Sequence, residues 1–141
     1  MSGLKTYLER TGPAVFAERG YLNLYTFPVN QAIGDAVKPG GGWFKANQMG
    51  KGAVALVFPR DAVIDLLSTR SMLERAQDVH RGHRSIDGAV VTAMGERGWV
   101  EYCHNPSLVQ HTGDVSAIGN PPHYKADSFR GEAYDPNALL G

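Results

Sequence analysis

Asp87 stands in "SIDGAV", where an acid opens an apolar stretch with a glycine beside it. Free N–H groups at a helix start stabilise an anion, so this carboxylate should stay ionised and able to accept a proton. Acids also favour first helical turns for that reason alone, with no chemistry attached. His111, in "VQHTGD", follows the last apolar run beside a glycine, where an imidazole can face a cleft and ligate a divalent metal. A single histidine is equally a hydrogen-bonded surface or core residue. His80 and His83, in "HRGH", have the spacing of some zinc pairs, but they lie in a polar connector and no third ligand follows at a useful interval.

"GKGAV" at 50–54 fails as a phosphate loop, because no Ser or Thr follows the lysine and Gly52 leads into a strand. Gly50 and Gly52 still allow the backbone to approach a ligand closely, with Gln48 and Lys51 as donors; a tight turn before a strand explains them as well. Cys103, the lone cysteine, excludes an internal disulfide and a thiolate metal cage. It falls inside a strand pattern, which implies a buried, inert thiol.

These groups need elements to hold them. Leu4, Tyr7 and Leu8 share one helical face, in a short helix ended by Gly12-Pro13. "YLNLYTF" at 21–27 alternates as a strand, with Leu22 and Leu24 opposite Tyr21, Asn23 and Tyr25. Residues 28–42, with two prolines and a closing "GGG", predict a long loop. "AVALVF" at 53–58 has the continuous apolar character of a strand covered on both faces. Val63, Ile64, Leu67 and Met72 then recur at helical spacing, and residues 75–84 make a polar connection. Ser85 caps a helix with an Ile86, Val90, Val91 and Met94 stripe, which Gly98 stops. "WVEYCH" at 99–104 is a further strand, and residues after Gly113 form a turn-rich tail that wraps over the body. The expectation is an α/β layered sheet of three or four strands with about three helices, in a single domain.

Charge and hydropathy bound the partners. Fourteen basic residues balance fourteen acidic ones, so there is no basic field for nucleic acid. No apolar run approaches the length of a membrane span, and the N-terminus lacks a secretory core, so a cytoplasmic protein is expected.

Three pieces in order, "GWFKANQMGKGAVALVFPRDAV", "HRSIDGAVVTAM" and "NPSLVQHTGD", resemble the second half of a GT-A-type glycosyltransferase domain. The likeness is to metal-dependent N-acetylglucosaminyltransferase IV-like enzymes and their bacterial relatives, and covers about residues 20–120. It implies a partial GT-A-like sheet and transfer of a sugar from a nucleotide-sugar donor to a carbohydrate acceptor. Asp87 would take the proton of the acceptor hydroxyl. His111 would ligate Mn2+ or another divalent metal, or contact the donor's diphosphate. Asn47, Gln48 and Gly52 would line the acceptor pocket, and Trp43 could stack on a sugar face. The chain departs from that family in having no Asp-x-Asp, the motif that holds the metal in the nucleotide-binding half. The resemblance therefore implies either a separate N-terminal half or a homo-oligomer as partner, and weak metal binding. Two alternatives remain: a non-catalytic module that binds glycan or protein, and a small metal hydrolase using His80, His83 and His111.

Overall fold

The computed structural model describes residues 3–74, 86–113 and 125–141. Its centre is a four-stranded mixed sheet in the order β2-β4-β1-β3, with helices on both faces, an α/β fold. β1 (Gly20–Asn23) and β4 (Val100–Asn105) run parallel through the middle. β2 (Gly42–Lys45) and β3 (Leu56–Val57) flank them, each antiparallel to its neighbour. Every residue of β1 is buried, as a strand covered on both faces requires.

The alternation read in 21–27 sorts the two faces. Leu22 and Leu24 pack with Tyr7 and Val15 of α1 (Leu4–Ala17), and Tyr102 and Trp43 join them. Tyr21 packs on the other side with Ala62, Val90, Met94 and Trp99. Ala62 comes from α3 (Arg60–Ser68), and Val90 and Met94 from α5 (Ile86–Glu96). A short α4 (Arg70–Glu74) follows α3, and α2 (Pro28–Val37) packs over Phe44 and Cys103. A C-terminal 3-10 turn (Pro136–Leu140) returns to α1, where the Asn137 side chain donates to the Gly3 carbonyl.

Four expectations need correction. α1 does not end at Gly12-Pro13 but runs on to Ala17 with Pro13 inside it. Pro13 is exposed, and the turn beyond it is held by Val15 and Phe16 against the sheet. The loop expected over 28–42 contains α2. Pro28 sits at its start, where a missing N–H costs nothing, and Gly34 lets the helix close on Phe44. A Cβ at Gly34 would lie 2.6 Å from Phe44 Cε1. The apolar run 53–58 gives only the two-residue edge strand β3; the doubly covered strand is β1. Finally, the Val63, Ile64 and Leu67 stripe faces outward, at 37%, 50% and 64% exposure, while Ala62 and Leu66 face the core.

The tail wraps the body over its described part. Gln110 clamps Ala126 through both of its amide atoms, and Ser128 accepts the Ser107 N–H and donates to Gln31. His80, His83 and the proposed Ser85 cap lie outside the described residues. No helix among the described residues is long and apolar enough to cross a membrane.

Candidate functional site

α5 leads through a tight turn at Gly98 into β4, so its first turn lies over the C-terminal end of the parallel β1/β4 pair. That end is where α/β sheets place their ligands. Asp87, in the first turn of α5, accepts the Gly52 N–H through Oδ2 at 3.1 Å. The Gly52 carbonyl accepts from Asn23 Nδ2 at 3.0 Å, at the last residue of β1. Gly52 has φ +77, and a Cβ there would meet the Tyr25 ring at 2.5 Å. The Tyr25 ring also meets the His111 ring edge-on, with centroids 6.5 Å apart. Asp87 is thus bonded to Gly52, and His111 packs on the Tyr25 ring that Gly52 abuts.

The segment that delivers His111 is pinned by buried hydroxyls. Ser107 accepts the Thr26 N–H at 2.9 Å, and Thr26 donates to the His104 carbonyl at 2.6 Å. The Leu108 N–H then bonds to the Leu24 carbonyl at 2.9 Å, which continues the β1 edge. "PSLVQH" therefore owes its residue types to a buried lock: Ser107 and Leu108 are fully enclosed. Gln110 follows and accepts the His111 N–H.

The glycine-rich loop makes its close approaches to the protein itself. Gly50, with φ +66, places its backbone where a Cβ would sit 2.6 Å from the Asp87 carbonyl oxygen. Gln48 donates to the Ala46 and Glu101 carbonyls and accepts the Glu101 N–H, all at 2.9 Å. It extends the sheet edge with a side-chain amide in place of a strand residue. Asn47 accepts the Met49 N–H at 3.0 Å, and its own N–H bonds to the buried Asn30 at 2.8 Å. Asn47, Gln48 and Gly52 thus share one loop that Asp87 holds, and His111 is linked to it through the Tyr25 ring.

Trp43 is not gathered with them. It pairs with His104 across β2 and β4, on the sheet face that α1 covers. Its indole Nε1 donates to Thr11 at 2.9 Å, and its ring stands 4.7 Å from that of His104 in an edge contact. His104 Nδ1 faces the Pro106 carbonyl at 2.7 Å, an acceptor only, so Nδ1 carries the hydrogen and Nε2 accepts from Tyr7 Oη at 2.7 Å. Burial holds this imidazole down at about 4, despite the opposing effect of the Pro106 bond, and pushes the Tyr7 hydroxyl up to about 12. Both are core groups.

A residue not singled out from the sequence belongs with Asp87. Glu101, on β4 opposite Tyr21, is 3% exposed on the face that α5 covers. Burial pushes its carboxyl up to about 7 against the Asn23 and Tyr21 side chains, which lower it, and the Asp87 charge adds to the rise. The signal for it was present: in "WVEYCH" the acid shares strand parity with Cys103, on a face that must be buried. Cys103 is also fully buried, and burial pushes its thiol far up, as an inert thiol requires.

Among the described residues no group of three His, Cys, Asp or Glu side chains could hold a metal ion. Comparison with protein-family models, curated proteins and solved structures returns no match.

Proposed function

We propose that the chain is the acceptor-side part of a sugar-transfer site of GT-A type, which a separate nucleotide-binding half completes. Asp87 takes the proton of an acceptor hydroxyl as that oxygen attacks the sugar carbon, and the bond from that carbon to the donor's phosphate breaks. His111 faces the donor side. The observation that carries the reading is Asp87 bonded to the Gly52 N–H, with His111 packed on the Tyr25 ring that Gly52 abuts, beyond the C-terminal end of β1. A carboxylate positioned beside a reacting hydroxyl supplies general-base catalysis of about 10²–10⁴-fold. Any metal that offsets charge on the leaving diphosphate would draw its ligands largely from the other half.

The test is transfer by the chain combined with a nucleotide-binding half, over a panel of nucleotide sugars and oligosaccharide acceptors. Asp87→Asn should lower kcat by at least about 10²-fold while the circular dichroism spectrum stays native. Unchanged turnover in that variant removes Asp87 from the mechanism.

One observation favours the second reading, a non-catalytic module that binds protein. Val63, Ile64 and Leu67 of α3 and Leu73 of α4 are all exposed, an apolar surface of the kind that marks an interaction site. Within the first reading, this surface is where the other half or a second copy would seat.

A further inference from the structure

Glu101 is the only buried carboxyl among the described residues. Its Oε2 receives the Tyr21 hydroxyl at a long 3.4 Å and the Asn23 side chain also favours its charged form, but its Oε1 has no hydrogen-bond partner among the described residues. The titratable groups facing it are Tyr21 from β1, Cys103 from its own strand and Asp87 from α5, none of them a cation. Lys51, on the adjoining loop, is exposed to solvent, and Asp65 of α3 pairs away from it with Arg19 and Arg97. An ionised carboxylate needs several donors; one that is buried and short of them is retained as the neutral acid.

We propose that Glu101 is a second functional carboxyl of this site, a positioning residue that holds a proton and so keeps the site's negative charge on Asp87. The two acids hold the same loop from opposite ends. Gln48 is bonded to the main chain of Glu101, and Gly52 is bonded to the side chain of Asp87. Ionising Glu101 would add a buried anion facing Asp87, a like-charge contact that disfavours the charged form of Glu101. The elevated titration range that burial gives Glu101 agrees with this arrangement. The role at the base rests on the sugar-transfer reading above; the coupling of the two acids does not.

Carboxyl-carbon NMR on the full chain tests the coupling without any substrate. Glu101 should titrate near neutrality in the wild type, and its midpoint should move down in Asp87→Asn. Asp87→Ser, which keeps a residue suited to the helix start, serves as a second charge-removing variant should the first fail to fold. A Glu101 midpoint in the ordinary carboxylate range, or one unmoved in a folded Asp87 variant, overturns the proposal. In an assembly that transfers sugar, Glu101→Gln should erase an inflection near pH 7 in the kcat profile and leave KM unchanged. Asp87→Asn should lower kcat throughout. An assembly with no transfer at all would defeat the sugar-transfer reading, whereas the titration alone decides the coupling.

Discussion

Glu101 and His104 share β4 but face opposite sides of the sheet, and burial moves them in opposite directions, the acid up to about 7 and the imidazole down to about 4. Folding therefore favours the protonated acid, whose stabilisation is complete below 4.5 and lost as pH rises through about 7. It also favours the neutral imidazole, whose stabilisation is complete above 6.5 and lost as pH falls through about 4. Each effect amounts to about 3 kcal/mol, so between 4.5 and 6.5 the two slopes nearly cancel. Glu101→Gln removes one of them. Denaturant titrations should then show a variant whose stability climbs by about 3 kcal/mol from pH 4 to 6.5, against a nearly level wild type. Parallel pH profiles for the two proteins would contradict the buried state of Glu101. At Gly52, alanine must take φ +77 and displace the Tyr25 ring, so Gly52→Ala should lose about 1–3 kcal/mol in the same assay.

The elements that the sequence disclosed are those whose pattern agrees with their packing. The alternation over 21–24 and the stripe over 90–94 both appear in the structure, because β1 separates two packed faces and α5 buries Val90, Val91 and Met94. α2 was hidden because its helix start is a proline and its buried face includes Asn30 and Gly34, residues that ordinarily signal a loop. The stripe on α3 misled in the opposite sense: its regular spacing is real, yet the face it marks is exposed. Asp87 and His111 stood out by residue type and position, but the bond of Asp87 to Gly52 and the packing of His111 on Tyr25 did not, since they depend on β1 and β4 lying side by side. Gly34 gives a test of α2. Alanine gains about 1 kcal/mol of helix propensity but forces a Cβ to within 2.6 Å of Phe44. Gly34→Ala should lower Tm, and a raised Tm would mean that α2 does not close on β2 as described.

At the scale of the molecule, the sheet ends in two short edge strands, and α3 and α4 present Ile64, Leu67 and Leu73 at half exposure or more. Exposed apolar surface of this kind marks interaction sites, and on the proposed reading a second copy or a complementary half covers it. Sedimentation velocity should show concentration-dependent self-association of the chain alone, relieved by the double substitution Ile64→Glu, Leu67→Glu. Because both residues face outward, the double variant should keep its Tm within a few degrees. A monomer at all concentrations would leave that surface without a role in self-association.

The central claim is that the loop held by Asp87 at Gly52, beside Tyr25, receives a carbohydrate acceptor next to the donor side that His111 faces. The most direct measurement is amide-shift mapping of the isotope-labelled full chain, titrated with a panel of oligosaccharides of different terminal sugars. Saturable shifts clustered at Tyr25, Gly52, Asp87 and His111 are the expected result. Saturable shifts confined to other surfaces, or none with any oligosaccharide, would contradict it.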